Sequence, residues 1–389
     1  MRYIPDGLGE TTDDGDGLML KPIVLTLWVS LFAHFAVKPH MPRLRVFRKV
    51  INIYQLLLAV PMIGLIGLRT SYNDTYSYID GFRDAPTLTA LLADPEGLKL
   101  LHNPLFELFT SAMRTLTDNY HIYFMVAAIV LVVLVSGFLF EISERDTYAL
   151  TFFTYFAMGT YFFALAAMKQ TLAMAVLCHG VLALRDKRHL RFCVLVFVAG
   201  LIHTYAWCFF IMLLLTMRPW KLRTYGVVAV TLFVMLTFRE SITTLLEYGD
   251  AIGKGASEEM VFSGDGMNML RVAVYSIVPI CSFVFRPILE PEMERKHYIM
   301  IHMSIISFMF MLLASIDGAN MFGRMARYFE MGTIYMFPWM IRHLFERRSQ
   351  MLASVMYVGA FILFIFYQYR GFGEEYRAIS WLTFFQGLI

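Results

Sequence analysis

The chain alternates long apolar runs with short polar segments from residue 18 to residue 369. Most runs are close to the roughly 20 residues that an α-helix needs to cross the hydrocarbon core of a bilayer. Because no water satisfies the backbone in lipid, we expect each run to be helical. The pattern predicts spans at 18–37, 50–68, 121–140, 147–167, 170–184, 224–238, 270–286, 298–316, 327–342 and 350–369.

The apolar segment 192–216 does not fit a single crossing. Its flanks, "RDKRHLR" at 185–191 and "MRPWKLR" at 217–223, are both basic, and short basic loops favour the cytoplasmic side. The segment is too short for two full spans. We therefore expect a hairpin of two short helices that turns between Gly200 and Tyr205, a geometry tolerated where it lines a protein or water cavity. The alternative is one tilted span with one misplaced basic loop.

The basic loops also set the expected orientation and the domain organisation. "KPHMPRLRVFRK" at 38–49 and "RHLFERRS" at 342–349 should be cytoplasmic, which places both termini outside. We expect an acidic, flexible extracytoplasmic segment at 1–17, which lacks the features of a signal peptide. One membrane-embedded domain at 18–370 follows, with a short tail at 371–389. Its external loops are 69–120, 239–269 and 317–326.

Composition agrees with a membrane protein. Of the 389 residues, 58% are hydrophobic and 16% are charged, against about 45–50% and about 25% in soluble proteins. The predicted fold is an all-α polytopic transmembrane bundle of about 11–12 membrane segments. The four cysteines lie in apolar runs and are expected to be unpaired, and no CxxC or His-rich tract indicates a metal site.

Polar residues that interrupt the apolar pattern collect at the external ends of the predicted spans. They are Arg69, Asp74, Glu107, Lys169, Gln170, His203, Arg324 and Arg327. Charge at a span end is costly unless it has a partner or a function, so their shared membrane face predicts one site near the outer leaflet. Five of them also have a purely structural explanation: a helix cap (Asp74), an early-helix position after an Asn103–Pro104 start (Glu107), snorkelling (Lys169), packing between helices (His203) and pairing with Asp317 (Arg324).

The residue types of this predicted site suit a lipid-linked sugar phosphate. Arginine binds phosphate bidentately and lysine adds a point charge. Arg324 and Arg327, three residues apart, should share a helix face. Carboxylates and aromatic rings suit sugars. The candidates for a base are Asp74, Glu107 and His203.

Short blocks in a fixed order carry a family resemblance. They are "NDTYSYIDGF", "NPLFELF", "MKQTLAMAVLCHGVLAL", "FVAGLIHTYAWCFFIMLL" and "GRMARYFEMGTIYMFP". From about residue 20 to residue 370 the chain resembles the EpsG-like family of exopolysaccharide polymerases, relatives of the Wzy-type O-antigen polymerases. Lys169 stands where the family usually has arginine, and Asn73 where it tends to glycine. The matching positions are Arg69, Asp74, Thr75, Tyr78, Phe82, Glu107, Gln170, Ala173, His203, Arg327, Tyr328 and Phe329.

The resemblance implies a metal-independent glycosyltransferase that needs no cofactor. It would join undecaprenyl-diphosphate-linked oligosaccharide repeat units into an exopolysaccharide or O-antigen-type polysaccharide at the outer face of the bacterial inner membrane. The fold would resemble the membrane-embedded C-type glycosyltransferases. Expected partners are the lipid-linked oligosaccharide, the bilayer and a chain-length regulator, but no nucleic acid. The expected roles are catalysis for Asp74, His203 and Glu107, diphosphate binding for Arg69, Lys169, Arg324 and Arg327, and sugar binding for Tyr78, Gln170 and Tyr328.

Two other functions compete with this one. A C-type glycosyltransferase with a polyprenyl-phosphate sugar donor would also explain the early "NDT" block, whereas the later blocks favour the polymerase. A flippase for lipid-linked oligosaccharides should show internal repeats and charges near the bilayer midplane, and the sequence shows neither. The identity of the base, the sugars, the linkage and the oligomeric state stay open.

Overall fold

The computed structural model describes residues 20–36, 43–46, 49–93, 103–237, 267–316 and 319–388. The predictions for the acidic start at 1–17, for Asp317, and for most of 38–49 and 239–269 lie outside the described residues.

Helices make up most of the described chain. The helices α1 to α11 are Lys21–Ala36, Ile53–Gly67, Thr75–Asp84, Leu88–Ala93, Pro104–Leu116, Tyr120–Ile142, Tyr148–Ala157, Thr160–Ala166, Met168–Arg185, His189–Ile202 and Leu222–Thr237. The helices α12 to α19 are Met269–Val284, Arg286–Leu289, Arg295–Ile316, Ala319–Arg327, Met331–Leu344, Arg347–Tyr369, Phe372–Glu375 and Trp381–Gln386. Two 3-10 helices are Thr204–Leu214 and Glu290–Glu292. Four short strands, β1 to β4, are Arg43–Val46, Lys49–Asn52, Arg69–Ser71 and Arg377–Ala378.

The predicted class, an all-α polytopic membrane protein, is confirmed. Among the described residues, 3 helices (α6, α14 and α17) are long and apolar enough to cross a membrane, or up to 5 if two bent helix pairs each form one span. Most of the other predicted spans correspond to shorter apolar helices, such as α1, α2, α10 and α11. The strands form two antiparallel pairs, β1 with β2 and β3 with β4, which the sequence did not predict.

The predicted span 147–167 is broken in the middle. Its two helices, α7 and α8, meet at an angle of 40°. Gly159, between them, has a φ of +80°, a left-handed conformation that glycine adopts without steric cost. A side chain there would also collide with the hydroxyl of Tyr369. The break therefore depends on a glycine at this position.

The core forms where long helices cross at close range. At Gly332 of α16, an added Cβ would overlap the backbone carbonyl of Met300 and lie 2.8 Å from the backbone nitrogen of Ser304, both in α14. Small residues allow membrane helices to approach this closely, and packing contacts then stabilise the pair. α14 is buried along most of its length. It is therefore a central helix of the bundle, and the residues that follow it, in α15, are held close to the core.

The segment 192–216 forms a hairpin, as predicted. α10 ends at Ile202, the 3-10 helix begins at Thr204, and the rings of Phe192 and Phe209 are 6.1 Å apart. A straight helix would separate these two positions by about 25 Å, so the chain must reverse between them. The reversal occurs at His203, whose backbone is extended. The alternative of one tilted span is wrong.

The C-terminal segment after Arg370 packs against the chain that follows α2. β4 pairs with β3, and the hydroxyl of Tyr376 donates a hydrogen bond to the carbonyl of Leu65 at 2.8 Å. The ring of Trp381 lies against Gly64 at a distance that leaves no room for a side chain there. These contacts hold the segment that carries Arg69 and Asp74 against the C-terminal end of the protein.

Candidate functional site

Seven of the ten predicted site residues lie close together where several helices begin or end. We call this group the His203 cluster. It consists of Tyr78, Glu107, Lys169, Gln170, His203, Arg324 and Tyr328, which come from α3, α5, α9, the turn of the hairpin, α15 and the residue after α15.

His203 is almost fully buried at the centre of the cluster. It follows the last residue of α10 and is 2% exposed. Its Nδ1 lies 2.7 Å from the hydroxyl of Tyr328, and the ring of Tyr205 meets it edge-on at 5.0 Å. Burial of a polar ring is tolerated when it is hydrogen-bonded. The contact anchors the turn of the hairpin to the chain just after α15.

The start of α9 joins the other elements of the cluster. Lys169 and Gln170 occupy its first turn. The backbone N–H of Lys169 donates to the hydroxyl of Tyr78 at 3.4 Å, and the side-chain amide of Gln170 donates to the carbonyl of Arg324 at 2.7 Å. The Oε1 of Gln170 is buried and has no hydrogen-bond partner within the described part of the chain. α3, α9 and α15 therefore meet at one point.

Glu107 is held in place through Asn103. The Oδ1 of Asn103 accepts hydrogen bonds from the backbone N–H of Thr204 at 2.9 Å and from its hydroxyl at 3.1 Å. The backbone N–H of Glu107 donates to the Asn103 carbonyl at 3.2 Å, one helical turn away. Asn103 begins α5 with a left-handed backbone, but its side chain does not cap the helix. The residue expected to cap thus binds the hairpin turn instead, and this places Glu107 near His203.

The ionisable groups of the cluster act on one another. Burial raises the pKa of the Glu107 carboxyl above its ordinary value, and the positive charge of Lys169 opposes this shift. Burial raises the pKa of Tyr78 to about 12, with Asp74 raising it further and Arg324 lowering it. The charges of Lys169 and Arg324 both reach His203. The site therefore combines two cations with a carboxyl group whose pKa is shifted towards neutral pH.

Asp74 lies at the edge of the cluster. Its side chain is exposed and, although it precedes α3, it makes no capping hydrogen bond to that helix. Its charge acts on Tyr78. The structural explanation of Asp74 as a helix cap is therefore not supported, and its carboxylate is accessible from outside the protein.

Arg69 is placed differently from the sequence expectation. Its side chain is 0% exposed. Its Nη1 donates to the carbonyl of Ile66 at 2.7 Å, and its Nε lies 3.2 Å from the Thr75 hydroxyl. Its Nη2 lies 3.9 Å from the sulfur of Met168, and its guanidinium covers the Phe124 ring at 4.1 Å. In this structure a diphosphate has no access to Arg69, which instead holds the residues beside Asp74 and Lys169 in place.

Arg327 belongs to a second, separate group. Its Nη1 lies 3.2 Å from a carboxylate oxygen of Glu330 and donates to the carbonyl of Met158 at 3.3 Å. Glu330 is fully buried and also accepts a hydrogen bond from the hydroxyl of Tyr275. Arg324 and Arg327 thus do not act together. Of the four cations predicted for one site, the cluster contains two, Lys169 and Arg324.

Glu330 and Tyr275 are site residues that were not predicted from the sequence. The pair Arg327 and Glu330 could have been found, because residues three apart on a helical turn are neighbours. Tyr275 could not, because its contact with Glu330 joins segments far apart in the sequence. All four cysteines are free. Within the described residues, no group of three or more His, Cys, Asp or Glu side chains could hold a metal ion.

The comparisons with known proteins concern the same part of the chain. A family model described as the EpsG family matches residues 52–383. The match begins later than the resemblance inferred above, and it extends beyond Arg370 into the C-terminal segment that packs against β3. It includes every residue of the His203 cluster. Neither a curated protein nor a solved structure matches the chain.

Proposed function

This chain belongs to the EpsG family, and from that premise we propose that it joins lipid-diphosphate-linked oligosaccharide repeat units into a polysaccharide. The family match suggests an exopolysaccharide polymerase. The observation that carries the finer proposal is the His203 cluster, in which two cations, a carboxyl group and a buried histidine meet at the ends of apolar helices. These groups suit the transfer of a sugar chain from a diphosphate.

Lys169 and Arg324 are the proposed ligands of the diphosphate. Both are half-buried and therefore in reach of a substrate at the membrane surface. Lys169 lies in the first turn of α9, which has no side-chain cap, so the partial positive charge of this helix end adds to the charge of the lysine. Arginine can bind two phosphate oxygens at once. Together these groups would stabilise the negative charge that develops on the leaving lipid diphosphate.

Glu107 is the proposed general base. The hydroxyl oxygen of the incoming repeat unit forms a bond to the anomeric carbon of the growing chain. The bond from that carbon to the diphosphate oxygen breaks, and the lipid diphosphate leaves with the electron pair. The hydroxyl proton passes to the Glu107 carboxylate, whose raised pKa brings it closer to the working pH. Asp74 then contacts the sugars at the exposed edge of the site, and the buried His203 holds the hairpin turn in position through Tyr328.

Tyr78 and Gln170 complete the proposed sugar contacts, while Tyr328 positions His203. The buried Oε1 of Gln170 has no partner among the described residues, so a sugar hydroxyl can satisfy it. Tyr78, which is half-buried, combines a ring with a hydroxyl, which suits the face and edge of a sugar. Arg69 enters the proposal as a positioning residue, since its contacts with Thr75 and Met168 hold both walls of the cluster.

The proposed location is the outer face of the bacterial inner membrane, with undecaprenyl diphosphate as the lipid carrier. The basic loops at 185–191 and 217–223 support it, because they favour the cytoplasm and so leave the hairpin turn outside. The proposed reaction needs no metal, because Lys169 and Arg324 provide the positive charge. A chelator such as EDTA should leave the rate of polymerisation of the purified protein unchanged.

A deletion strain tests the proposed function. Cells that lack this protein should accumulate lipid-linked oligosaccharide of a single repeat unit at the outer face of the membrane. The wild-type gene should restore polymer, whereas Arg324→Met should not, although the variant protein is present at a normal level. If single repeats accumulate only at the inner face, the protein is a flippase and the proposal fails.

A further inference from the structure

A cavity lies apart from the His203 cluster. It has a volume of about 390 Å³ and is lined by the start of α12, the end of α17, Tyr72 and the residues around α18. This volume falls in the range of about 300–1,000 Å³ that is usual for ligand pockets. Polar side chains of the lining are Asn268, Arg271, Tyr367, Gln368, Arg370 and Glu375.

The lining combines rings with planar hydrogen-bonding groups. Arg271 donates to the Oε1 of Gln368 at 3.0 Å, and the amide of Asn268 donates to the hydroxyl of Tyr367 at 2.6 Å. Tyr72, 9% exposed, packs on Phe372 with ring centroids 5.1 Å apart. These contacts fix the orientation of the polar groups before any ligand arrives, and such preorganisation reduces the cost of binding. Rings beside amide and guanidinium groups are suited to sugar rings and their hydroxyls.

The charge of the lining is unbalanced. Arg271 and Arg370 contribute two positive charges, and Glu375 contributes one negative charge. Arg327, whose charge reaches Arg271, is neutralised by Glu330 at 3.2 Å. The lining therefore carries one positive charge in excess, which a ligand with a single negative group would balance.

The cavity and the His203 cluster lie on the two sides of one short segment. Arg327 donates to the carbonyl of Met158, and Gln368 of the cavity lining donates to the carbonyl of the neighbouring Ala157 at 3.1 Å. The residue after Arg327, Tyr328, contacts His203. Tyr72 in the cavity and Tyr78 in the cluster are also close in the chain, because Tyr72 directly follows β3 and Tyr78 lies at the end of the first turn of α3. The two sites are therefore neighbours along the chain on two segments.

We propose that this cavity is a saccharide subsite that binds a sugar carrying one anionic group, with Arg271 and Arg370 as the ligands of that group. The identification of the ligand as part of an oligosaccharide rests on the proposed function. The cavity then holds a repeat unit away from the reacting bond and favours acidic repeats over neutral ones. The anionic group is either a carboxylate or a phosphate attached to the sugar.

Binding of small probes to the full-length protein in nanodiscs tests this subsite. The probes are cellobiose, the corresponding disaccharide with a C6 carboxylate, glucose 1-phosphate and inorganic pyrophosphate, measured by saturation-transfer NMR. We expect the carboxylated or phosphorylated sugar to bind at least about tenfold more tightly than cellobiose, a difference of about 1.4 kcal/mol. Which of the two binds better identifies the anionic group.

Variants assign the binding to the cavity. Arg271→Gln and Arg370→Gln should each weaken the binding of the anionic sugar about tenfold. Arg370 is exposed, so it can be replaced without unfolding the chain. Arg286→Gln is the matched control. Arg286 lies beyond the other end of α12, away from the cavity, where it pairs with Glu290. Equal binding of cellobiose and the acidic sugars, binding of pyrophosphate alone, or unchanged binding in both variants would overturn the subsite. These readouts do not use polymer formation, so the proposed function can fail while the subsite stands, and the reverse.

Discussion

The Nδ1 of His203 lies 2.7 Å from the hydroxyl oxygen of Tyr328, although the two residues are 125 positions apart in the sequence. Both side chains are almost fully buried, with exposures of 2% each. This contact connects the hairpin turn to the residue after α15, and the stacking of Phe209 on Phe329 at 5.0 Å supports the same connection. It helps to fix the relative positions of Thr204, which binds Asn103, and Arg324, which also binds Gln170.

The first prediction concerns the coupling of these two residues. Tyr328→Phe keeps the ring but leaves the buried imidazole without its partner, which should lower the free energy of unfolding by about 1–3 kcal/mol. His203→Leu should cost a similar amount. The double variant should cost clearly less than the sum of the two, and thermal unfolding in detergent measures all three. Additive costs would show that the contact does not exist in solution.

The second prediction separates Arg324 from Arg327. Arg327→Met leaves the buried Glu330 without its cation and should lower the free energy of unfolding by about 3–5 kcal/mol. Replacing both partners, as Arg327→Met with Glu330→Met, should recover most of that loss. Arg324→Met, its matched control, should change the unfolding temperature little but reduce polymerisation by tenfold or more (about 1.4 kcal/mol or more in the barrier). A stable Arg327→Met protein would contradict the described ion pair.

The third prediction is a pH profile. Burial raises the pKa of Glu107, so the fraction of carboxylate, and with it the rate, should fall with decreasing pH at a midpoint above the ordinary glutamate value of about 4.3. Lys169 lowers this pKa. Lys169→Met should therefore move the midpoint upwards, in addition to lowering the maximal rate.

Lys187→Met is the control for this profile, since Lys187 is exposed in the turn between α9 and α10. It should leave both the midpoint and the maximal rate unchanged. A midpoint that stays the same in Lys169→Met would exclude both Glu107 and His203 as the titrating base, since the charge of Lys169 acts on both, and Asp74 would take their place in the mechanism.

The fourth prediction tests the hairpin. A Cβ at Gly200 would lie only 2.5 Å from the Trp207 ring, so Gly200→Ala should force the two short helices apart and cost about 1–3 kcal/mol. At Gly226 in α11 an added Cβ meets no atom within 4 Å. Gly226→Ala should therefore stabilise the helix by about 0.5–1 kcal/mol. Equal unfolding temperatures for the two variants would mean that the hairpin is not packed as described.

Features set by local pattern could be predicted from the sequence. The hairpin at 192–216 followed from two basic flanks and a run too short for two spans. The positions of His203, Lys169 and Glu107 followed from their interruption of apolar runs. Such features depend on charge and length, which a single sequence contains.

Features set by long-range contact could not be predicted. Arg69, Arg324 and Arg327 cannot be told apart in the sequence, since all three lie at the ends of apolar runs. Their different environments come from Thr75, Met168 and Phe124 around Arg69, and from Glu330 and Tyr275 around Arg327. Only the packing of distant helices decides which cation is buried with partners and which stays within reach of a substrate.

The most direct test of the central claim uses the purified protein in proteoliposomes with lipid-diphosphate-linked oligosaccharide of one repeat unit as its substrate. Mass spectrometry of the products gives the chain lengths, and the released lipid diphosphate is measured in the same sample. A polymerase should give a ladder of products with two or more repeats and one lipid diphosphate released for each bond formed, and Arg324→Met should form the ladder at least about tenfold more slowly. If the substrate keeps a single repeat and no lipid diphosphate is released, or if it only moves across the bilayer, the protein is not a polymerase.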